Sequence, residues 1–588
     1  MISQLFRKVS NVQVLVNTTS SVSMIVTNIV IGKFLGVEAI GAYGVVAPFL
    51  LLIMAVSQVL STGGQIKCSE ELGKQKKDKA SGVAGLTLLT AFIFAVLSMI
   101  VCFTLYNGLV NLLGADSGTD LHAYSVDYLL GFIIGAPAFI GMLVLIPFIQ
   151  LNGDKRCVVN AMIGMTVVTC VGDVLAPTVF HAGMFGIGVA GSAGYYCSLI
   201  ILILHFFGKK AALKPSIKHI EVKRLGGIFT SGIPAALQKV LRTGMSLIIN
   251  YTLINFVGTI ALGIFTVVNN ILNLCNSVGQ GMGSATLLLS SIFFAEEDKK
   301  SLKEVVKAFV KDSLIFNLLM FVIVFIAAEP LVVLFTKSGE IDISSAAIAL
   351  RVGIVDFVFY SLANCFKNYY QGSSHKAMTY ILTVLEAFAF SAIAVVPLTM
   401  SFGVYGTCAV YAVGDILTII TLYIVVCVKN KSGSFRIENF LLLSKESFIS
   451  DENVYRSSPT TFEEVEKTAL EVQEFIKSKD GEQNKKLPEN MRLCVEELCS
   501  NILKYGFTDE KKRHKKHMEV SVMVKEGKFT LRIRDDCQQY NPVEYYEKYE
   551  KDNNITMSDK YGLEIVFGLM EDVNYLDTLG LNSVVITG

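Results

Sequence analysis

The chain has 588 residues, of which 52% are hydrophobic and 17% charged, and its mean hydropathy is +0.53. A soluble protein of this length does not carry so much apolar sequence, so the composition indicates a membrane protein. The net charge of +1 and the lack of a basic stripe with interleaved aromatic residues give no sign of nucleic-acid binding. The 12 cysteines are scattered without a CxxC pair, so neither a disulfide framework nor a structural zinc site is expected.

The apolar residues are concentrated before residue 431. Residues 1–430 alternate long uncharged runs with short charged loops, whereas residues 431–588 have the Lys- and Glu-rich composition of a soluble domain. A membrane helix needs about 20 mainly apolar residues, and the first region has room for twelve. The predicted helices lie near 12–33, 38–66, 82–113, 124–151, 157–180, 186–207, 226–256, 260–294, 304–336, 343–370, 377–400 and 402–428. The predicted fold class of this region is an all-α membrane bundle.

The charged loops divide the predicted bundle into halves and set its orientation. A long basic loop at 209–225 separates six helices in residues 1–208 from six in residues 226–430. Lys and Arg lie at the N-terminus, in every even-to-odd connection and after the last helix, whereas the opposite loops are neutral to acidic. Because positively charged loops stay in the cytoplasm, both termini are expected there, in a multi-pass protein of the cytoplasmic membrane. Residues 431–458 are expected to link the bundle to a soluble domain at 459–588.

Two apolar stretches about 222 residues apart are similar to each other: Phe34–Phe49 is echoed by Phe256–Ile271, with glycines, alanines and a Val-Val pair in register. A repeat of this length in a hydrophobic chain is typical of transporters built from two similar halves. We expect the halves to be related by a pseudo-two-fold axis along the membrane normal. Asn28 and Asn250 would then occupy equivalent positions.

The same residues carry a family resemblance. Ile31–Gly44 resembles the first-helix signature of the multidrug and toxic compound extrusion (MATE) family, and Phe185–Gly191 and Phe402–Gly406 resemble the starts of its sixth and twelfth helices. The resemblance covers residues 1 to about 430. It implies an antiporter that exports organic compounds, expected to be cationic, against entry of protons or sodium ions, with alternating access of the two halves.

Ionisable residues inside apolar helices are candidates for function, because each costs about 2.5–3.5 kcal/mol at mid-membrane. The acids and bases in such positions are Asp173, Asp356, Glu386, Asp415, Lys239, Arg242 and Arg351. Asp356 and Glu386 are predicted to carry ion coupling, since no basic residue lies within one turn of Glu386 in the sequence. The alternative for these acids is an internal ion pair with Arg351.

The remaining membrane residues have more ordinary interpretations. Asp173 and Asp415 lie where the MATE family commonly has an acid, and packing or capping is the favoured role for both. Lys239 and Arg242 are expected to extend to the cytoplasmic interface. Thr27 stands where many relatives have an acid in the first helix, so the resemblance leaves proton and sodium coupling both open.

Several polar side chains are predicted to line a central cavity, although hydrogen bonds between helices are an equally good interpretation of each. They are Asn28, Gln58, Asn250, Asn269, Asn270, Asn276, Gln280 and Arg351. The chain has no Trp, so aromatic contacts to a lipophilic cation would come from Phe and Tyr.

The soluble tail has the pattern of an α+β sandwich. Thr460–Glu463 predicts a capping box at the start of one helix, and Pro488 predicts the first turn of a second helix that runs to about Tyr505. Two alternating strands, a polar segment, a helix and a closing strand pair follow. Glu497 and Asn501 are four residues apart and share a face of the second helix.

The segment Val495–Gly506 resembles the N box of the GHKL ATPase superfamily, closest to anti-sigma-factor serine kinases. This resemblance implies that Asn501 binds Mg²⁺ bridging the phosphates of ATP, that Glu497 acts as a catalytic base, and that Asp535 reads the adenine amino group. Further matches to the family are Asn541, Pro542, Gly562, the segment Glu571–Tyr575 and Asn582. A solvated polar helix face is the alternative for Glu497 and Asn501.

Two glycine positions of the GHKL motifs are changed, to Cys537 and Glu564. Glycine lets backbone approach phosphate without a Cβ atom, so Glu564 would add bulk and negative charge there. We therefore expect weak nucleotide binding, slow turnover and a regulatory role for the tail, with a protein regulator as a further possible partner.

Two other functions are compatible with the sequence. Flippases for lipid-linked precursors share related two-half folds and commonly line their cavities with bases, as Lys239, Arg242 and Arg351 would. A membrane-anchored signalling kinase or receptor is the other alternative, in which the helices sense and the tail phosphorylates or sequesters a regulator. Small organic molecules and membrane lipid are the expected partners.

Overall fold

The computed structural model describes residues 1–208, 213–335, 342–431, 436–443, 448–480, 486–506, 516–538, 540–549, 560–570 and 572–588. The chain forms two compact units. The membrane unit comprises Ile2–Ile149 and Lys155–Leu442, and the tail unit comprises Leu443–Gly588 with Met1 and Gln150–Asp154.

The membrane unit is entirely helical in its described part. Its helices are α1 (Ile2–Val30), α2 (Val37–Gly73), α3 (Lys77–Leu112), α4 (Asp120–Leu151), α5 (Lys155–Thr178), α6 (Gly183–Phe207), α7 (Leu225–Phe256), α8 (Thr259–Ala295), α9 (Lys299–Ile326), α10 (Ala328–Phe335), α11 (Ile343–Gly353), α12 (Val355–Gly372), α13 (Lys376–Val384), α14 (Phe390–Asn430) and α15 (Ile437–Phe440). Ile31–Leu35 and Leu385–Ala389 are π-helical turns, and Val222–Arg224 is a 3₁₀ turn.

The twelve predicted membrane helices are accounted for by these elements. Among the described residues, ten stretches are long and apolar enough to cross a membrane. One of them, Lys376–Asn430, kinks at Gly403, where φ is 60°, and so contains two of the predicted helices. The twelfth is α7, which is 32 residues long but carries Lys239 and Arg242. The predicted all-α membrane fold is confirmed.

The backbone of the second half repeats special conformations of the first. Gly36 and Gly258 have φ of 91° and 110°, and each precedes a helix of 37 residues, α2 or α8. Those helices end in turns where Gln75 and Glu297 have φ of 61° and 56°. Each matching pair is 222 positions apart, so the sequence repeat is also a backbone repeat.

The two helical halves are in close contact at one end of the bundle, which we call the basic end because it carries the loops rich in Lys and Arg. A Cβ atom on Gly63 of α2 would lie 1.9 Å from the Ile228 carbonyl oxygen of α7, and one on Gly232 would lie 2.0 Å from the Val59 carbonyl oxygen. Towards the other end, Cβ atoms on Gly44 and Gly244 would meet no atom within 4 Å. Glycines therefore permit backbone contact between the halves at the basic end.

The tail unit packs helices against one antiparallel sheet. Its elements are β1 (Val454–Ser457), α16 (Phe462–Asp480), α17 (Leu487–Asn501), β2 (Met518–Lys525), β3 (Lys528–Asp535), α18 (Pro542–Tyr549), α19 (Lys560–Leu569), β4 (Asp572–Thr578) and β5 (Leu581–Thr587). The strand order is β1-β2-β3-β5-β4. The predicted α+β sandwich is confirmed, and its core includes residues from α16, α17, α19 and alternate strand positions.

Three local predictions for the tail need correction. Residues 454–457 lie in the expected linker but form β1, which pairs with β2. The polar segment after β3 contains the short helix α18. The helix cap is one residue later than predicted: Thr461 Oγ1 accepts from the Glu464 amide at 3.2 Å, and Glu464 accepts from the Thr460 amide at 2.7 Å.

Candidate functional sites

Glu386 lies at the centre of a buried charge cluster in the second half of the membrane unit. It belongs to the π-helical turn that follows α13, and π turns inside long helices are common at functional positions. Arg242 Nη2 donates to Glu386 Oε1 at 2.9 Å, and Lys367 Nζ donates to Oε2 at 3.1 Å. Gln238 Nε2 adds a third donor at 3.2 Å. The carboxylate is therefore matched by two cations and an amide.

Arg242 is fixed inside the bundle. Its guanidinium lies 4.5 Å from the ring centroid of Tyr360 and 5.5 Å from that of Tyr411, within the range of cation–π attraction. The expectation that Arg242 extends to the membrane interface is therefore wrong, because an acid and two rings hold it in place. Glu386 has no base within one turn along the sequence, but in the folded structure two bases contact it, so the reason given for a coupling role is wrong.

Arg351 has different partners from those considered in the sequence. Its Nε donates to the Phe325 carbonyl at 3.2 Å, and its Nη2 lies 3.4 Å from Glu329 Oε1 on α10. The alternative ion pair with Asp356 or Glu386 is thus not formed. Arg351 is half-buried, and its charge is paired with that of Glu329.

Asp356 and Asp415 form a second polar group, beside the first. Asn276 Nδ2 donates to Asp356 Oδ2 at 3.2 Å. The two carboxyl groups lie close enough to hydrogen-bond if one holds a proton. Among the described residues, Asp356 Oδ1, both carboxylate oxygens of Asp415 and Asn276 Oδ1 are buried without a hydrogen-bond partner. Buried acceptors are normally paired, so this group has the capacity to take a proton or a small cation.

The first half holds one buried acid in a region rich in aromatic rings. Thr27 Oγ1 donates to Asp173 Oδ2 at 2.6 Å, so α1 contacts the buried acid of α5 through a threonine. Asp173 Oδ1 has no partner among the described residues. The nearby rings include Tyr43 and Tyr128, with centroids 5.1 Å apart, and Tyr195.

The remaining residues predicted to line a cavity are mostly half-buried. Gln58 Nε2 donates to Thr62 Oγ1 at 3.1 Å, a contact within α2. Those without a side-chain hydrogen bond in the described structure are Asn28, Asn250, Asn269, Asn270 and Gln280. Asn276 is instead buried and bound to Asp356. These contacts leave the cavity assignment as a prediction.

In the tail, Asp535 lies at the end of β3 and is held by two donors on one oxygen. The Cys537 amide and Asn582 Nδ2 both donate to Asp535 Oδ1, at 2.9 and 2.8 Å. Tyr575 Oη in turn donates to Asn582 Oδ1 at 2.7 Å. Burial raises the pKa of the Asp535 carboxyl above its ordinary value, although hydrogen bonds from Asn582 and from the amide and side chain of Cys537 oppose the shift. This chain of contacts fixes the carboxylate while leaving Oδ2 for another donor, such as an adenine amino group.

Glu497 and Asn501 are in contact on α17, as their spacing predicted. Asn501 Nδ2 donates to Glu497 Oε1 at 2.7 Å, which leaves Asn501 Oδ1, a hard oxygen of the kind Mg²⁺ prefers, for a ligand. Gly562 at the start of α19 faces the same carboxylate, since a Cβ atom there would lie 1.7 Å from Glu497 Oε1. Glu497, Asn501 and Gly562 are thus brought together and fit a nucleotide with its metal.

The two altered glycine positions differ in their surroundings. Cys537 packs against Gly506, where a Cβ atom would lie 2.9 Å from both Cys537 Cβ and Sγ. Burial raises the pKa of the Cys537 thiol to about 12, so the side chain is neutral. Glu564 is exposed on α19. Glu571, part of the predicted tail motif, lies outside the described residues.

The comparisons with known proteins agree with this arrangement. Residues 14–175 and 234–397, together more than half of the chain, match the MatE family model. The chain belongs to the MatE family. Residues 458–587 match the model of the histidine kinase-like ATPase domain. Both resemblances identified in the sequence are therefore confirmed, and the chain is a multi-pass MatE transporter with a kinase-like ATPase domain.

Known proteins are similar to more than half of the chain. The probable multidrug resistance protein YoeA of Bacillus subtilis is 21% identical over 337 residues, which is 55% of this chain and 71% of that protein. A structure of MATE in complex with MaL6 has a TM-score of 0.68 at 17% identity and covers 71% of this chain and 94% of that one. The structure of a mutant of the Vibrio cholerae MATE transporter VcmN has a TM-score of 0.67 at 17% sequence identity. It covers 74% of this chain and 98% of that one.

Sequence reasoning on this MatE chain missed two members of the buried cluster, Lys367 and Gln238. Lys367 lies within the predicted helix 343–370, three residues from its end, so a complete count of ionisable residues in that helix would have included it. Gln238 had no comparable signal, because a single amide inside a membrane helix is ordinary. The pairing of either residue with Glu386 depends on tertiary structure.

Proposed function

We propose that the chain is a cation-coupled antiporter that exports organic compounds across the cytoplasmic membrane, with the basic end and both termini in the cytoplasm. The observation that carries the proposal is the buried group of Asp356, Asp415 and Asn276, with four acceptor oxygens that lack a partner among the described residues. Two adjacent carboxyl groups in a low-dielectric site do not both ionise without a counter-charge. A proton or sodium ion is the counter-charge that an antiporter would supply.

The cluster around Glu386 supports a separate role for that acid. Arg242 and Lys367 are both engaged by Glu386, at 2.9 and 3.1 Å. In the described part of the chain, neither base donates a hydrogen bond to Asp356 or Asp415, whose unpartnered oxygens stay open to an entering cation. We therefore assign coupling to Asp356 and Asp415, and a structural role to Glu386. H⁺ and Na⁺ both fit oxygen acceptors of this kind.

Asp173 and its aromatic neighbours support an organic cation as the substrate. The carboxylate is buried and has tyrosines as neighbours, and phenylalanines extend the group of rings: the ring centroids of Phe132 and Phe139 lie 6.0 Å apart, and those of Phe139 and Tyr195 lie 5.0 Å apart. Ring faces attract cations, and a single acid supplies the opposite charge. In a chain without Trp, these rings are the aromatic contacts that a lipophilic cation would use.

The contacts between the halves support alternating access. Gly63 and Gly232 bring α2 and α7 into backbone contact at the basic end. Arg7 and Asp312 add an ion pair between the halves at 2.8 Å, also at that end. With the basic end in the cytoplasm, these contacts close the cytoplasmic side, and the transport path would be open outward in this conformation.

For the tail, we propose a weak nucleotide-binding domain that regulates transport. Asp535 would bind the adenine amino group, Asn501 would hold Mg²⁺, and Glu497 would be the base if turnover occurs. The metal would link the nucleotide phosphates to the protein. Gly562 keeps Glu497 and Asn501 paired, while Glu564 at a phosphate-loop position adds an exposed negative charge. Repulsion between this charge and phosphate would weaken nucleotide binding and slow hydrolysis.

The alternatives have less support. A flippase for lipid-linked precursors would use bases to hold phosphate, but Arg242 and Lys367 bind Glu386, and Arg351 binds Glu329. A signalling kinase would need its phosphate loops intact, which the residues at positions 537 and 564 disfavour. Repeated helical halves favour transport over sensing.

The test is efflux from proteoliposomes loaded with a panel of fluorescent organic cations, under an imposed proton or sodium gradient. Wild-type export should follow one gradient, and Asp356→Asn and Asp415→Asn should each lose that dependence. Glu329→Gln is the matched control, because Glu329 is an exposed acid of the same half, with 62% of its side chain accessible. Gradient dependence that survives in both aspartate variants would contradict the proposal.

A further inference from the structure

The segment that follows the last membrane helix is held against the transporter. We call residues 437–442 the strap, since they lead from the membrane unit towards the tail. Three successive carbonyl oxygens of the strap accept hydrogen bonds from side chains of the membrane unit. Tyr370 Oη donates to the Phe440 carbonyl at 2.7 Å, and Tyr369 Oη donates to the Leu441 carbonyl at 3.0 Å.

His375 supplies the third contact. Its Nε2 lies 2.9 Å from the Leu442 carbonyl, and since a carbonyl only accepts, Nε2 carries the hydrogen. Its Nδ1 contacts Ser373 Oγ at 2.9 Å. Burial lowers the pKa of His375, which lies in the turn between α12 and α13. Both ring nitrogens of His375 are therefore engaged, and Nε2 donates to the strap.

Apolar and charged contacts complete the attachment. Phe440 is buried, and its ring lies 5.4 Å from Phe366 and 6.4 Å from Tyr423. Glu438 forms an ion pair with Lys303 of α9. Leu442 has a φ of 49°, a conformation that a bulky residue adopts only when its surroundings enforce it. A linker that served only as a tether would need none of these contacts.

The helix that holds the strap also carries the proposed ion site. Asp356 lies in the first turn of α12, Lys367 donates to Glu386 from its other end, and Tyr369 and Tyr370 follow directly. At 1.5 Å per residue, Asp356 and Tyr370 are about 21 Å apart along one continuous helix. A shift or rotation of α12 that accompanied ion binding would therefore displace the two hydroxyl groups that hold the strap.

We infer that the strap couples the tail to the transport cycle, so that ion binding at Asp356 and nucleotide binding in the tail each change the other through α12 and residues 437–442. The inference rests on the proposed function, because it takes its two ligands from it. Coupling between two sites is reciprocal: if the ion alters nucleotide affinity, the nucleotide alters ion affinity by the same factor. The contacts of the strap with Tyr369, Tyr370 and His375 are the membrane-unit end of the path that such coupling would take.

The experiment is hydrogen–deuterium exchange on the full-length protein in lipid nanodiscs, with and without Mg-ATP. The double variant Tyr369→Phe with Tyr370→Phe keeps both rings and removes both donors to the strap. Tyr196→Phe is the matched control, since Tyr196 Oη donates to the Ile134 carbonyl at 3.0 Å in the other half. Loss of the two donors should speed exchange of the strap amides about fivefold, and the control should not.

The first comparison uses ATP. In the wild type and in Tyr196→Phe, ATP should protect peptides containing Asn501 and Asp535 and also change exchange in α12. In the double variant it should protect the tail peptides only. If ATP protects the tail but leaves α12 unchanged in the wild type, or changes α12 equally in the double variant, the strap has no coupling role, while nucleotide binding stands.

The second comparison needs no nucleotide. Asp356→Asn imitates the protonated acid and should change exchange of the strap amides in the full chain. Unchanged strap exchange in this variant would overturn the inference. If ATP protects neither tail peptide, nucleotide binding fails as a proposal, and the Asp356→Asn comparison decides the role of the strap.

Discussion

Arg242 Nη2 lies 2.9 Å from Glu386 Oε1 although the two residues are 144 positions apart in the chain. Lys367 approaches the other carboxylate oxygen, so one buried acid is the shared counter-charge of two bases. Removing one partner of a buried ion pair leaves an uncompensated charge, which costs more than the pair itself contributes. The membrane unit should therefore need Glu386 for its stability.

We predict that Glu386→Gln destabilises the membrane unit by about 3–5 kcal/mol, because Arg242 and Lys367 both lose their counter-charge. Lys367→Met should cost much less, since it leaves the balanced pair of Arg242 and Glu386. Thermal unfolding of the purified variants measures both effects. If Glu386→Gln is as stable as the wild type but loses its response to the ion gradient, Glu386 belongs to the coupling site, as the sequence alone predicted.

The paired glycines before α2 and α8 give a second prediction. Gly36→Ala and Gly258→Ala should each destabilise the protein by about 1–2 kcal/mol, because φ of 91° and 110° is unfavourable for a residue with a Cβ atom. Gly44→Ala and Gly244→Ala are matched controls within helices, where a Cβ atom meets nothing within 4 Å. The controls should be neutral or stabilising in thermal unfolding. Equal behaviour of all four variants would argue against a shared backbone constraint.

Asp535 links stability of the tail to pH. Burial raises the pKa of its carboxyl above 3.8, so between 3.8 and the raised value the folded tail holds a proton that the unfolded chain has released. Stability contributed by this group therefore falls as pH rises through that interval. Above it, Asp535→Asn should stabilise the tail by about 0.5–2 kcal/mol, since the amide oxygen still accepts from Asn582.

The same substitution should weaken ATP binding at neutral pH, because the ionised carboxylate is the proposed acceptor for the adenine amino group. Wild-type affinity should decline as pH falls through the raised pKa of Asp535, whereas the variant should bind weakly throughout. Calorimetry with Mg-ATP and chemical unfolding across pH 4–8, a range chosen to span the shift, check both parts. A variant that loses stability at neutral pH would show that the carboxylate is held mainly as a structural acceptor.

The order of elements could be predicted because it depends on local patterns. Apolar runs set the membrane helices, and the repeat around Gly36 and Gly258 appears both in the sequence and in the backbone. Glu497 and Asn501 were placed together because four residues bring side chains to one helix face. Each of these predictions depends on a pattern within a short stretch of sequence and does not require knowing which distant residues pack together.

The partners of the buried charges could not be predicted in the same way. Glu386 has no base within one turn in sequence, yet residues from α7 and α12 pack their bases against it. Arg351 was a plausible partner by type, but its helix places it beside Glu329. Burial of a charge demands a counter-charge, while the choice among several bases is made by helix packing.

The contact between Gly562 and Glu497 provides the last prediction. A Cβ atom at position 562 would lie 1.7 Å from Glu497 Oε1, so Gly562→Ala forces the carboxylate to move. That movement breaks the bond of 2.7 Å from Asn501 Nδ2 and frees the amide to rotate away from the metal position. The clash involves the flexible end of a side chain, so the fold should survive, whereas Mg-ATP affinity should fall about tenfold.

Gly568→Ala is the matched control for this experiment. It changes a glycine of the same helix, α19, where a Cβ atom would meet nothing within 4 Å. Calorimetry on the full-length protein should give wild-type affinity for Gly568→Ala, and thermal unfolding should find it unchanged or slightly more stable. Asn501→Ala should bind no better than Gly562→Ala, because both remove the same oxygen from the metal. Wild-type affinity in Gly562→Ala would place the nucleotide away from Glu497 and Asn501, since the forced movement of the carboxylate would then have no effect on the ligand.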